Sequence, residues 1–173
     1  MLAVLDIEDS DEETQNGQPS RTASFEHSSV VQSAMVFPIH ENFNLPQLPA
    51  HLIRALSGMF SRNVHVVMPV VHAPTFQEYL ETGVYLQYPM DHPAPKALKA
   101  AIFYACFCSM DEIECLTEFG NYKESLRDEW RKATEYWFTA AEMLIKHDLA
   151  TLQALLIYLV RINTYVVFEF GDL

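Results

Sequence analysis

Apolar positions in the second half of the chain recur every three or four residues, the spacing that lines one face of an α-helix. Leu126, Trp130, Ala133, Trp137, Ala141 and Leu144 show it most cleanly, and Asn121 and Glu124 mark the start of that long helix. Asp128–Lys132, Arg131–Glu135 and Glu142–Lys146 stand four apart, where opposite charges meet on an exposed helix face. Further upstream, Leu52, Ile53, Leu56, Met59, Phe60 and Val64 repeat the helical spacing behind Pro49, which suits a first turn. A different pattern follows Pro95. From Ala97 to Met110 nearly every side is apolar, which marks a buried central helix or a membrane span. About 14 residues is too short to span a bilayer, for which roughly 20 are needed, so this is the core helix. Asp148 caps a last helix from Leu149 to near Phe168. That run is long enough for a bilayer, but Gln153, Arg161 and Asn163 lie within it. Arg161 alone would cost roughly 2.5–3.5 kcal/mol in lipid. The expectation is a buried helix with one polar edge.

Between these runs lie the breaks. His65-Val66-Val67-Met68-Pro69-Val70-Val71-His72-Ala73-Pro74-Thr75-Phe76 carries β-branched residues and two prolines that end a helix. Thr75 and Glu78 match a capping box for a short helix through Leu80, and Ser109 and Glu112 match a second, for a helix ending near Gly120. No strand–turn–strand alternation, Gly-rich phosphate loop or internal repeat is present. The pattern predicts an all-α fold, an irregular helical bundle or array around a buried central helix.

The N-terminal stretch changes the picture. Residues 1–34 hold Asp6, Glu8, Asp9, Asp11, Glu12 and Glu13, then a Gln/Asn/Ser/Thr-rich passage with Arg21 as its only Lys or Arg. Such composition buries too little apolar area to offset chain entropy, so it reads as a disordered acidic tail. Leu2, Val4, Leu5 and Ile7 among the acids give Met1 to Glu13 the look of an acidic-hydrophobic activation segment, with a solvated tail as the plainer reading. Residues 35–50, with Pro38, Pro46 and Pro49, read as an extended arm on a helical domain spanning 35–173.

Composition narrows the function. Apolar residues make up 50% of the 173, enough for one domain with a true core. The net charge of −12 disfavours a grip on nucleic acid or anionic membrane by this chain alone. Met1 to Ser10 lacks the basic region of a secretory signal, and Arg131-Lys132 is too short for a basic nuclear-import run. Three cysteines point to free thiols in a reducing compartment.

The search for chemistry yields no catalytic, cofactor or metal residues. Cys106, Cys108 and Cys115 read C-x-C-x6-C, unlike the paired C-x2–4-C of structural zinc. On a helix Cys106 and Cys108 point to nearly opposite faces, as plain core does. His65 and His72 flank Pro69 and lack two further donors. His147-Asp148 looks like half a dyad, yet Asp148 has a cap to make and no nucleophile motif accompanies it. Asp111, Glu112 and Glu114 suit the positive end of a helix dipole. Trp130 and Trp137 stand one heptad apart on the inner stripe, as core or as the wall of a ligand pocket.

One resemblance organises these observations. Met59-Phe60, Val64-His65 and Met68-Pro69-Val70-Val71-His72-Ala73-Pro74-Thr75-Phe76 resemble the opening motif of the fungal-specific transcription factor domain, the middle homology region of fungal zinc-cluster activators. Leu98-Lys99-Ala100-Ala101-Ile102-Phe103-Tyr104-Ala105 is similar to that family's central apolar helix, followed by Ser109-Met110, Glu114-Cys115 and Phe119-Gly120. Thr151-Leu152-Gln153-Ala154-Leu155-Leu156-Ile157-Tyr158-Leu159 is similar to its L-Q-A-L-x-x-Y helix. The three blocks cover about residues 48–165 in the family's order. The resemblance implies an all-helical regulatory domain of a nuclear transcription factor, with no enzyme activity. The family's six-cysteine zinc module, through which it touches DNA, is missing here. The family domain also continues past its last matched helix, whereas this chain stops at Gly171-Asp172-Leu173. That implies an incomplete domain, with exposed apolar surface on its last helices and a tendency to self-associate.

Three functions follow. The first is the regulatory, non-DNA-contacting domain of a zinc-cluster type transcription factor controlling a metabolic gene cluster. DNA would then be reached through a missing module or a partner. The second is a stand-alone interaction protein that pairs with a copy of itself or with a full-length relative. The third, a helical enzyme or ligand-binding protein, requires His65, His72 and a carboxylate to meet in a cleft.

Overall fold

A computed structural model describes residues 46–146 and 148–170, with side chains described through Arg161. The tail at 1–34 and the arm up to residue 45 lie outside these residues. Six α-helices and one π-helical turn make up the described fold, which is all-α. The helices are α1 (Ala50–Met59), α2 (Ala73–Thr82), α3 (Pro93–Ser109), α4 (Glu112–Phe119), α5 (Lys123–Ala140) and α6 (Leu149–Phe170). The π turn, Phe60–Val64, continues α1 and closes with the His65 N–H donating to the Phe60 carbonyl at 2.8 Å. It delivers Phe60 and Val64 to the core.

The central helix is α3. All of Ala97, Leu98 and Ala100 through Phe107 are buried, so its largely apolar composition has the expected cause. Helices α5 and α6 pack along it, with the π turn and α1 completing its cover. Phe103 and Phe107 of α3 both meet the Trp130 ring of α5, at 5.0 and 6.4 Å between centroids. Tyr104 meets Tyr158 of α6 at 5.6 Å. Rings of this kind bury large apolar areas and fix relative orientation.

Local signals set most helix ends. Gly120, at φ +66°, ends α4 in the left-handed region that glycine enters without a Cβ clash. Asp148 Oδ1 accepts from the Thr151 N–H at 2.9 Å and caps α6. Both T/S-x-x-E matches lie out of register. Thr75 is inside α2, which starts behind His72, and its hydroxyl bonds His72 Nδ1 at 2.8 Å. Ser109 is the last residue of α3 and donates to the Cys106 carbonyl. The actual box is Asp111–Glu114, with reciprocal bonds of 2.7 and 3.0 Å. Helix α3 begins at Pro93, two residues before Pro95. Helix α5 stops at Ala140, and Glu142 takes φ +49° in the turn that follows.

Two expectations about helix faces fail. Glu135 is buried, so the Arg131–Glu135 pair reaches inward rather than lying on an exposed face. Helix α6 buries one side but shows solvent an apolar stripe: Leu149, Leu152, Leu156, Leu159 and Val160. The anticipated polar edge is there in part: Gln153 donates to the Val70 carbonyl and accepts from the Tyr85 hydroxyl. The anticipated exposed apolar surface is also there.

Candidate functional site

The cysteines sit on different surroundings. Cys106 is fully buried and its thiol faces the Leu56 carbonyl at 3.7 Å. Burial pushes that thiol well above its ordinary range, and the same effect raises Cys108 and Cys115. A thiolate is the metal-binding form, so these environments oppose ligation. Among the described residues no three His, Cys, Asp or Glu side chains gather at one point. His65 packs its ring on Phe60 at 5.5 Å, and His72 bonds Thr75. Asp111 and Glu114 are occupied by the α4 cap, and Glu112 Oε1 accepts from the Lys123 N–H at 3.4 Å. Asp148 is occupied by the α6 cap and by the Tyr88 hydroxyl at 3.1 Å. His147 lies outside the described residues.

The two tryptophans lead to a concave site with an aromatic lining. A cavity of about 320 Å³ opens between the start of α1, the end of α2, the 83–92 loop, the first half of α3 and the middle of α5. Its inner wall is aromatic: Tyr79, Tyr85, Phe103 and Trp130 are all buried. Half-exposed Trp137 continues the wall outward. A run of ring contacts holds this wall in place, from Phe60 through Phe76, Tyr79, Tyr85 and Tyr88 to His92. The loop segment is anchored to α6 by Tyr85 on Gln153 and by Tyr88 on Asp148.

Three polar groups converge on these walls. Lys96 pairs with Asp91 at 2.9 Å and lies 4.9 Å above the Trp137 ring. Lys99, one turn further along α3, lines the cavity and has no hydrogen-bond or ion-pair partner among the described residues. Burial, with Lys96 nearby, lowers its pKa. Trp130, only 4% exposed, leaves its indole Nε1 without a hydrogen-bond acceptor. On the same wall, burial and the Asp91 charge push the Tyr79 phenol up to about 12, so it stays a neutral donor.

Sequence reasoning placed Trp130 and Trp137 on one inner stripe and weighed a ligand pocket there. It passed over the lysines. A signal was available, because Lys96 and Lys99 are the only charged residues in the 17 of α3. A cation pair in an otherwise apolar helix calls for an explanation.

No helix of the described residues is long and apolar enough to cross a membrane. No protein-family profile matches the chain. No solved structure matches it. Curated proteins do. The chain is 33% identical over 108 residues to the C6 finger domain transcription factor adaR of Aspergillus niger, covering 62% of this chain and 14% of that protein. It is 32% identical over 106 residues to the C6 finger domain transcription factor nscR of Trichophyton verrucosum, covering 61% and 16%. It is 33% identical over 107 residues to the Aurofusarin cluster transcription factor aurR2 of Gibberella zeae, again 61% and 16%. The match therefore spans about one seventh of the length of these relatives. The names of adaR and nscR include a C6 finger domain; in this chain the three thiols are dispersed and raised in pKa by burial.

Proposed function

We propose that this chain is a regulatory, non-DNA-contacting helical domain of the fungal zinc-cluster type of transcription factor, acting in the nucleus on a metabolic gene cluster. The domain occupies residues 35–173 and the acidic tail residues 1–34. DNA contact belongs to a separate zinc-cluster module or to a partner subunit. The observation that carries this reading is the similarity of more than 100 residues to named transcription factors. The net charge of −12 fits a chain that leaves the nucleic-acid backbone to another module. A fusion of residues 1–173 to an unrelated DNA-binding module tests it. In fungal nuclei the fusion should change expression of a reporter bearing that module's site, while the chain alone should not shift duplex DNA. An inert fusion, or DNA retention by the chain alone, overturns the reading.

The apolar stripe on α6 favours a second reading, a stand-alone interaction protein that pairs with a full-length relative. Leu149, Leu152, Leu156 and Leu159 repeat every three or four residues on one exposed face, the spacing of a helix docked on another helix. Tagged chain should then co-purify with a full-length relative from the same nuclei, and Leu156→Lys should abolish the recovery. Equal recovery of the variant removes this reading.

A further inference from the structure

Lys99 and Trp130 share an unusual situation. Both side chains line an aromatic cavity, and the polar end of neither finds an acceptor among the described residues. A buried donor left unsatisfied destabilises a fold, and so does a desolvated cation without a counter-charge. An apolar side chain at either position would remove that penalty. Their presence makes sense where an occupant supplies the missing acceptors.

The walls state what that occupant is. Five rings line the space, which favours a planar π-system able to stack or meet ring edges. The volume, about 320 Å³, sits at the small end of ligand pockets, so one or two fused rings fit and a nucleotide does not. The charge count gives the valence. Lys96 is already neutralised by Asp91 at 2.9 Å, which leaves one positive charge, on Lys99. Asp91 would repel a second negative group. A monoanion with an acceptor of fixed geometry satisfies Lys99, and a carboxylate provides that at neutral pH.

We propose that the cavity between α2, α3 and α5 binds a small planar aromatic monocarboxylate, its ring among Tyr79, Phe103, Trp130 and Trp137 and its carboxylate on Lys99. The indole N–H of Trp130 donates to an acceptor on the same molecule. The proposal concerns the folded chain alone and does not depend on the transcriptional reading.

The test uses the full 173-residue chain and 2-naphthoate as the probe, by isothermal titration. The only two tryptophans of the chain both line the cavity, so their fluorescence is an independent reporter of occupancy. One-to-one, saturable binding with a change in tryptophan emission is expected. The neutral 2-naphthamide, equal in shape, should bind at least about tenfold more weakly, the usual worth of a charged hydrogen bond. Aliphatic octanoate, which keeps the charge and loses the ring, should also bind more weakly. Lys99→Met should reproduce the amide's deficit without lowering the melting temperature of the free chain, and Lys99→Arg should retain binding. Trp130→Phe, which keeps a ring and removes the N–H, should weaken binding several-fold. Absence of saturable 2-naphthoate binding, equal affinity for naphthoate and naphthamide, or unchanged affinity in Lys99→Met would each overturn the proposal. The naphthoate–naphthamide comparison needs no variant, so it holds whatever the substitutions do to folding.

Discussion

Tyr158 of α6 donates its hydroxyl to the carboxylate of Glu135 on α5, 23 residues earlier in the chain. Both side chains are buried, and Arg131 reaches the same carboxylate at 3.7 Å. The contact ties the two helices that flank α3. It also explains how a carboxylate survives in the core: a buried charge is tolerated when donors surround it. Tyr158→Phe keeps the ring contacts with Tyr104 and Phe138 and removes the donor. It should destabilise the fold by about 1.5–3 kcal/mol, the range for a hydrogen bond to a charged group. Urea denaturation of Tyr158→Phe, Glu135→Gln and the double variant checks this. The double variant should lose less than the sum of the singles, and strict additivity would show the two groups do not interact.

The same burial predicts an alkaline limit. Burial raises the Tyr158, Tyr104 and Tyr79 phenols above 10.0, aided for Tyr158 by the hydrogen bond to Glu135. Above pH 10 the unfolded chain gains by ionising these phenols and the folded chain does not. Their stabilising effect is therefore complete below pH 10 and falls as pH rises beyond it. Lys99, with its lowered pKa, works in the opposite sense, but it is one group against five, since Tyr85 and Tyr88 are raised as well. Urea midpoints measured from neutrality to about pH 11 should fall at the alkaline end. Tyr158→Phe should flatten that decline, and a midpoint independent of pH would contradict it.

The helices were legible because their signals are local. Three- and four-residue periodicity found α5, the all-apolar run found α3, and Gly120 and Asp148 fixed two boundaries. The second capping box slipped because the pattern S/T/D-x-x-E occurs twice within six residues, at Ser109–Glu112 and Asp111–Glu114. Only burial of Met110, which continues the core past Ser109, chooses between them. Glu135 was misread for a different reason. Its i,i+4 partner Arg131 is visible in the sequence, whereas Tyr158 reaches it only after α6 packs on the core. The cavity was half legible. Two tryptophans on one stripe suggested it, but its lysines come from α3 and another part of its lining from the 83–92 loop.

The register of the α4 cap gives a sharp comparison. Asp111 Oδ1 accepts from the Glu114 N–H, so Asp111→Ala should cost about 1 kcal/mol, as lost N-caps do. Ser109→Ala removes a hydroxyl that donates to the Cys106 carbonyl, which already accepts from the Met110 N–H. It should cost clearly less. Thermal melts of the two variants decide the register, and a larger loss for Ser109→Ala would restore the pattern-based assignment.

Thiol chemistry reports on core integrity. Cys106 and Cys115 are buried and Cys108 is half-buried, each with a raised pKa from burial. Since the thiolate is the reactive form, the native chain should react slowly with a disulfide reagent such as Ellman's. Cys108 should react first. Denaturant should release all three at the rate of free cysteine. Rapid reaction of Cys106 in the native chain would mean that α3 is not the central buried helix.

The exposed face of α6 sets the solution behaviour. Leu152, Leu156 and Leu159 are 46%, 51% and 46% exposed and fall on one face of the helix with Leu149. An aligned apolar row of this kind lowers its free energy by leaving water, and a second copy of the row is always at hand. Sedimentation velocity should show a monomer whose average mass rises with concentration. Leu152→Lys with Leu156→Lys places two like charges in the row and removes none of the core, because the buried side of α6 is Ala150, Ala154, Ile157 and Tyr158. The double variant should remain monomeric over the same range and unfold at nearly the same temperature, since exposed substitutions change stability by within about 0.5 kcal/mol. Two outcomes would contradict this account. A wild-type chain that stays monomeric at high concentration would show that the row does not drive association. A double variant that melts far earlier would show that these leucines belong to the core.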